Sequence, residues 1–295
     1  MPSAVSQNLR SFVRKVLRRV GFDVIRARDP YRLDLYRRLF SQEVLHAKPF
    51  YNVGAGAFHH PYWTNIDYVS DWYGGVQRNV VNHNLMSLSS LPVATSSAYA
   101  FYTSHTIEHV SYEAVAVLFR EVYRALRSGG VFRVTTGPDA ETDFRALQRG
   151  DSDWFYWDDE YAASGVHKNI FRWPANSVAL EERWLHHVAT QLAPNDLSPS
   201  ATKLDAVQIR QLIKQYGFPK VLDVLTAMCS FSADRPGNHI SWWTHDRVMN
   251  LLAESGFETI YRSGRGQSAS PLMRQSDLFD STHPQMSIYV ESIKA

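Results

Sequence analysis

The residues whose types and spacing most clearly suggest chemistry are two glycines and an aspartate in the first quarter of the chain. Gly54 and Gly56 follow the short apolar run Phe50–Val53, and Asp67 ends a second short run that begins at Asn65. Glycine permits a positive φ, so the backbone at such a turn can approach a ligand closely. A carboxylate at the tip of the neighbouring strand can accept both hydroxyls of a ribose. This arrangement predicts a site for a cofactor that contains a nucleoside.

The spacing of these residues disfavours a nicotinamide dinucleotide. Asp67 comes eleven positions after Gly56, and Pro61 interrupts the interval. A dinucleotide-binding fold places its acidic residue roughly 20 positions on, after a complete helix. The interval is too short for that helix, and Phe58 and His59 stand where a third glycine would be sought.

A second group of reactive residues is His105-x-x-Glu108-His109, which follows the buried-type strand Ala98–Thr103. Two histidines and a glutamate at this spacing match an inverted zinc-peptidase motif, which requires a helix through all three residues. Here the motif begins at the end of a strand, so a zinc metallopeptidase is the weaker interpretation. The pairs His59–His60 and His186–His187 are interpreted as packing or surface residues, and no metal site is predicted.

The elements around this motif form a βαβ unit. The helix after it has an apolar stripe at helical spacing, ends near Gly129–Gly130 and is followed by a strand over Val131–Thr136. The stripe consists of Val115, Leu118, Phe119, Val122 and Leu126. A strand, a helix and a second strand in this order predict a parallel sheet.

The rest of the chain predicts an insertion within an α/β core. Another short strand is expected at 79–82, a helix capped by Thr244 and closed by Gly256, and strands at 257–261 and 287–291. Residues 150–237 break the α/β rhythm and contain two predicted helices, over 180–192 and over 206–216. We therefore divide the chain into an N-terminal helical segment (1–47), a core (48–149 and 238–295) and a helical, aromatic insertion (150–237) that forms an acceptor-side lid.

Charge is concentrated at the N-terminus. The net charge is +2, but residues 1–40 carry ten Arg or Lys against three Asp. Residues 6–20 have the periodicity of a basic amphipathic helix, which either lies on an anionic membrane or an acidic protein or packs on the core. Nucleic acid is not expected, because the basic residues are not interleaved with stacking aromatics. One cysteine, no secretory signal and no membrane-spanning run predict a cytoplasmic protein, with peripheral contact at the inner membrane face.

Taken together, four motifs resemble those of class I S-adenosylmethionine-dependent methyltransferases, most closely the bacterial type 11 members found with surface-polysaccharide biosynthesis. The motifs are Asn52-Val53-Gly54-Ala55-Gly56, Trp63-x-Asn65-Ile66-Asp67, Ser104–His109 and Leu126–Gly130. The resemblance implies a Rossmann-like, mostly parallel seven-stranded sheet flanked by helices. It also implies S-adenosylmethionine as the cofactor and transfer of its methyl group as the reaction.

The resemblance further implies which residues bind this cofactor. Those residues are Asn52, Gly54, Gly56, Asp67, Asn84, Leu85 and His105. Asp67 would hold the ribose, Asn84 and Leu85 the adenine, and His105 would lie near the sulfonium. Asn52 and Asn84 stand where many members carry acidic residues, although amides also form hydrogen bonds. This departure keeps a non-catalytic scaffold with the same fold as an alternative.

Methyl transfer to an alcohol also requires a base that takes the proton of the hydroxyl. His105, Asp139 and His239 all fall at strand ends or in loops where an acceptor can reach, and His105 is the first choice. The predicted acceptor is a sugar, glycolipid or polysaccharide. The aromatic and acidic stretch Trp154–Tyr161, together with Trp173 and Trp184, would either stack on sugar faces or form the core of the insertion.

Overall fold

A twisted sheet organises the computed structural model, which describes residues 29–73, 75, 77, 79–164, 178–197 and 202–295. The predicted basic helix at 6–20 and Trp173 lie outside these residues. The strands are β1 (Phe50–Val53), β2 (Trp63–Asp67), β3 (Val80–Asn82), β4 (Ala98–Ser104), β5 (Leu126–Thr136), β6 (Thr259–Arg262) and β7 (Ile288–Ile293).

The strand order confirms the predicted Rossmann-like fold. The seven described strands lie in the order β3-β2-β1-β4-β5-β7-β6. The first five are mutually parallel, whereas β7 runs antiparallel to both β5 and β6. The carboxyl ends of parallel strands meet at one edge of a sheet. The residues that follow β1, β2 and β4 are therefore brought together although they are far apart in the sequence.

The structure describes nine helices. They are α1 (Leu33–Leu39), α2 (Gln42–Ala47), α3 (Tyr112–Ala125), α4 (Ala140–Arg149), α5 (Tyr156–Ser164), α6 (Leu180–Val188), α7 (Ala206–Tyr216), α8 (Lys220–Thr226) and α9 (His245–Glu254). The predicted helices α3, α7 and α9 are confirmed. Thr244 Oγ1 caps α9 by accepting a hydrogen bond from Arg247 N, and α7 ends at Gly217.

Two helix ends differ from the sequence prediction, and one helix next to the site was not predicted. Helix α6 ends at Val188, because the backbone angles of Ala189 are not helical. Leu192 belongs to a separate turn. The pair Gly129–Gly130 lies inside β5 instead of ending α3, since the backbone is already extended at Leu126. Helix α4 was not predicted at all. It begins directly after Asp139, whose side chain caps it.

The apolar side chains divide into three clusters that hold the site in place. On one face of the sheet, β-strand residues pack against the buried stripe of α3 and against α9. On the other face, α1, α2 and the loop before β7 cover β1, β2 and β4. The insertion has its own core, in which Phe144 of α4 and Trp184 of α6 pack together. Within the described part of the chain, no helix combines the length and apolarity needed to cross a bilayer.

Candidate cofactor and acceptor site

The loop after β1 is shaped by its two glycines and tied to the end of β2. Gly54 and Gly56 have φ of +67° and +51°. The Gly56 N–H donates a hydrogen bond to Asp67 Oδ2 at 2.7 Å, and the Tyr68 N–H donates to Oδ1 at 2.8 Å. The glycine loop and the carboxylate thus form one unit, as the spacing of these residues suggested.

The two glycines are required for different reasons. A Cβ on Gly54 would lie 2.7 Å from the Cβ of Thr106, which is far inside van der Waals contact. A Cβ on Gly56 would meet nothing within 4 Å, so Gly56 faces open space in the cleft. Gly54 therefore allows the chain after β4 to pack closely, and Gly56 leaves room for a ligand.

Asp67 lies at the end of β2 and is almost buried, with 7% of its surface exposed. Burial raises the pKa of its carboxyl, and the hydrogen bonds from Gly56, Gln77 and Tyr68 oppose that rise. Asn52, on β1, is also buried, and within the described residues its Oδ1 has no hydrogen-bond partner. An unpaired buried oxygen is costly, so this atom is suited to a donor group of a ligand.

A smaller cavity beside the glycine loop contains the residues predicted to hold the adenine. Asp67, Asn84 and Leu85 line it, together with His105 and Phe231. Asn84 Oδ1 accepts a hydrogen bond from Met86 N at 2.9 Å, which fixes the turn at Leu85–Ser87. The structure thus brings Gly54, Asp67, Asn84, Leu85 and His105 around one cavity.

His105 lies at the end of β4 and lines both this cavity and the larger cleft. Its backbone has φ +47°, an uncommon value for a residue with a side chain, and its N–H donates to Thr135 O at 3.0 Å. Its Nε2 lies 2.7 Å from Ser287 Oγ, and its Nδ1 lies 3.0 Å from Glu108 Oε1. The ring is thus held between a hydroxyl and a carboxylate, an arrangement that suits a base oriented by an acid.

Glu108 is the buried charge at the centre of the motif. Its Oε2 accepts a hydrogen bond from Thr136 Oγ1 at 2.7 Å, and its Oε1 lies 4.0 Å from His109 Nε2. Burial alone would raise the pKa of this carboxyl, but the imidazoles of His105, His109 and His239 lower it to about 2. The motif lies in a short turn at Ile107–His109 and not along an α-helix, so it lacks the backbone of the zinc-peptidase motif.

His239 and Asp139 occupy very different positions. His239 lines the large cleft, and its ring centroid lies 5.0 Å from that of His109. The pKa of His239 is lowered, and burial of the ring is the main cause. Asp139 instead accepts hydrogen bonds from Glu141 N and Thr142 Oγ1 as the cap of α4. Asp139 is not among the residues that line the described cleft, and its role as a base stays a prediction.

The insertion contributes one wall of the cleft. His187, at the end of α6, is buried between Asp143 Oδ2 at 2.7 Å and Asp158 Oδ1 at 2.8 Å. Burial alone would lower the pKa of His187, but the two carboxylates raise it to about 10. Trp157 stacks on this imidazole with the ring planes 18° apart. Trp157, Asp158 and His187 all line the cleft.

Only part of the aromatic stretch faces this cleft. Trp184 is buried in the core of the insertion, and Trp154 Nε1 donates a hydrogen bond to Asp143 at 2.7 Å. The large cleft has a volume of about 860 Å³ and runs from the glycine loop to Trp157. It is large enough for part of a cofactor and an acceptor side by side.

A family model matches the part of the chain that contains much of this site. Residues 58–134 match the family model described as a methyltransferase domain. The chain carries a methyltransferase domain. The match confirms the resemblance to the type 11 group of class I methyltransferases and S-adenosylmethionine as the cofactor. No curated protein matches the chain.

Several solved structures are weakly similar to this chain. A possible histamine N-methyltransferase from Thermotoga maritima is 11% identical, with a TM-score of 0.35, over 90% of this chain and 98% of that one. A methyltransferase from Archaeoglobus fulgidus is 10% identical, with a TM-score of 0.37, over 89% and 100%. One from Mesorhizobium loti is 14% identical, with a TM-score of 0.36, over 85% and 96%. Similarity at these TM-scores carries no argument about this chain.

The residues at the site fit S-adenosylmethionine. Gly56 leaves open space, Asp67 offers a carboxylate for the ribose, and Asn52 offers an unpaired buried oxygen. Sequence reasoning considered Glu108 and His109 only as part of the disfavoured zinc-peptidase motif, and it interpreted His187 as a packing or surface residue. No local signal indicated that His187 lies between two buried carboxylates.

Proposed function

We propose that the chain is an active S-adenosylmethionine-dependent methyltransferase that O-methylates a sugar hydroxyl of a glycan or glycolipid. The observation that carries this proposal is the position of His105, where the cofactor cavity and the larger cleft meet, with Glu108 Oε1 3.0 Å from its ring. S-adenosylmethionine supplies an activated methyl group on its sulfonium. The protein must then align an acceptor, exclude water and remove a proton.

In this proposal His105 takes the proton of the acceptor hydroxyl. The Glu108 carboxylate, held by Thr136, stabilises the imidazolium that results. Ser287 Oγ lies 2.7 Å from His105 Nε2 and donates its own proton to the carbonyl oxygen of His283 at 2.8 Å, so the acceptor hydroxyl would have to displace Ser287 from the ring.

Asp158, in the wall of the cleft, supports a polyhydroxylated acceptor. Carboxylate oxygens accept hydrogen bonds from sugar hydroxyls. Trp157 is buried and stacked on His187, so it holds this wall in place and does not offer an open indole face. Within the described residues, Asp158 Oδ2 and Trp157 Nε1 have no hydrogen-bond partner. Both residues line the cleft, so their polar atoms are suited to an acceptor.

We further propose that the basic segment at 6–20 brings the protein to the anionic inner face of a membrane. Five of its residues are Arg or Lys, and juxtaposed basic side chains are attracted to anionic lipids. Such contact would suit a cytoplasmic enzyme that acts on a lipid-linked acceptor.

A methyl-transfer assay tests the proposal. Labelled S-adenosylmethionine is offered with glycans, glycolipids, simple lipids and small amines, and we expect label in a glycan or glycolipid. Asp158→Asn should lower kcat/KM for that acceptor and leave cofactor binding unchanged, because it alters an acceptor-side oxygen. Asp153→Asn is the control, because Asp153 is an exposed acidic residue just before the stretch Trp154–Tyr161.

Two results would contradict the proposal. Label that appears only in an amine would disprove the sugar acceptor. Cofactor binding without transfer to any member of the panel would favour the non-catalytic scaffold.

A further inference from the structure

Beyond the cofactor site, the cleft contains a group of residues with the composition of a metal site. We propose that Glu108, His109 and His239 bind one divalent transition-metal ion. One potential ligand atom from each residue lies within 4.8 Å of the other two. Two imidazoles and a carboxylate form a ligand set that holds Zn²⁺ and similar ions with coordination positions left open.

The orientation of the two histidines is the first observation behind this proposal. His109 Nδ1 lies 3.2 Å from the carbonyl oxygen of Asn238, and His239 Nδ1 lies 2.5 Å from that of His187. A carbonyl oxygen only accepts hydrogen bonds, so each Nδ1 must carry the proton and donate it. Each Nε2 is then left with a lone pair. Metal-ligating histidines are typically held in this way by a carbonyl behind the ring.

The burial and contacts of the Glu108 carboxylate are the second observation. Its side chain is 3% exposed, and its Oε2 is occupied by Thr136. Its Oε1 lies 3.0 Å from His105 Nδ1 and 4.0 Å from His109 Nε2. A buried carboxylate oxygen among imidazoles requires a positive charge beside it, which a bound metal ion would supply when the rings are neutral.

The backbone holds the ligands together although they come from distant segments. Ile240 N and Ser241 N both donate hydrogen bonds to the carbonyl oxygen of Glu108, at 2.9 and 3.2 Å. His239 N also donates to Thr190 Oγ1 at 3.0 Å. The ligand atoms of a bound Zn²⁺ lie about 2.0–2.2 Å from it, so binding would draw the three side chains closer together.

The location of the ion suggests its role, and this step rests on the proposed methyl transfer. His109 lines both cavities and His239 lines the larger cleft, so the open positions would face the junction beside His105. A divalent ion with one carboxylate and two neutral imidazoles keeps a net positive charge. It would therefore take acceptor oxygens as ligands and favour their deprotonated form.

Metal binding by the full-length chain tests the site directly. Protein freed of metal with a chelator is titrated with Zn²⁺ by calorimetry, and its zinc content is measured by mass spectrometry after dialysis. We expect one zinc per chain, bound at least tenfold more weakly by His109→Ala and by His239→Ala. His59→Ala is the matched control, because His59 also lines the cleft but lies outside the cluster.

Glu108→Gln separates ligation from folding, because it keeps the size of the side chain and an oxygen for Thr136. It should weaken zinc binding while thermal unfolding and cofactor binding stay close to those of the wild type. Zinc retained equally by wild type and by the His109→Ala/His239→Ala double variant would overturn the proposal.

The methyl-transfer assay distinguishes the proposed metal site from the proposed function. If zinc binds as expected but no acceptor is methylated, the site stands and the proposed function fails. If an acceptor is methylated at full rate by protein that binds no metal, the function stands and the metal site fails.

Discussion

Gly54 and Gly56 have the same type of backbone conformation, yet the space around them differs. Both Gly→Ala variants place a side chain in the left-handed region, which costs roughly 1–2 kcal/mol. Gly54→Ala also forces its Cβ against Thr106. We expect it to be roughly 1–3 kcal/mol less stable than Gly56→Ala, the cost of overpacking. Urea unfolding of both variants measures the difference, and equal stabilities would contradict the described packing.

Substitutions at His105 and Asp139 distinguish a catalytic base from a helix cap. His105→Gln should lower kcat by roughly 10²–10⁴-fold, the usual contribution of a general base, without weakening cofactor binding to the same extent. Asp139→Asn should instead lower the free energy of unfolding by no more than about 1 kcal/mol and leave kcat unchanged, because Asn also caps helices. Single-turnover rates and urea unfolding give the two quantities. A large loss of kcat in Asp139→Asn alone would reverse the two roles.

At the residue scale, the sequence identifies side chains that lie near one another in the chain or at strand ends. Gly54, Gly56 and Asp67 were predictable because parallel strands end at a common edge. The capping role of Asp139 was not predicted, because a carboxylate after Pro138 resembles a loop residue until the helix behind it is known. His109 and His239 meet only through the packing of a segment about 130 positions away, which no local pattern reveals.

At the scale of elements, the Asp143–His187–Asp158 contact joins α4, α5 and α6. His187 has a folded pKa of about 10, above the usual value of 6.5. A raised pKa means that its contribution to stability is complete below about pH 6.5 and is lost as the pH rises towards 10. We expect the free energy of unfolding to fall over that range by up to about 1.4 kcal/mol per pH unit.

His187→Gln checks this pH dependence. It should flatten the fall between pH 6.5 and 10 and lower stability near neutral pH by roughly 3–5 kcal/mol, because two buried carboxylates lose their cation. His46→Gln, at an exposed position of α2, is the control. An unchanged pH profile in His187→Gln would show that this contact does not set the dependence.

The elements themselves were largely predictable, for a physical reason. Strands β1, β2 and β4 are short, largely apolar runs, of which β1 is followed by Gly54 and the other two end at polar residues. Helix α3 has a clear apolar stripe with Ser111 as its cap. Helix α4 was missed because its pattern follows a Gly-Pro turn and continues into the aromatic stretch. The three-helix contact at His187 joins residues 44 and 29 positions apart, so only tertiary packing could reveal it.

At the scale of the whole molecule, charge separates the N-terminal segment from the rest. The full-length chain should bind vesicles that contain anionic lipid, and salt should weaken the binding. Replacing Arg10, Arg14 and Arg18 by Gln removes roughly 1 kcal/mol of attraction per residue, which weakens binding roughly 100-fold. Co-sedimentation with anionic and neutral vesicles measures this. Equal binding to both vesicle types would contradict the electrostatic account.

The central claim is that the chain binds S-adenosylmethionine with the help of the Asp67 carboxylate. Cofactor binding tests this claim most directly. Calorimetric titration of S-adenosylmethionine into the wild-type chain should show one saturable site. Asp67→Asn should bind roughly 10- to 100-fold more weakly, the value of a charge-assisted hydrogen bond, whereas the exposed control Asp71→Asn should match the wild type. No saturable binding by the wild type, or equal affinity in Asp67→Asn, would contradict the account.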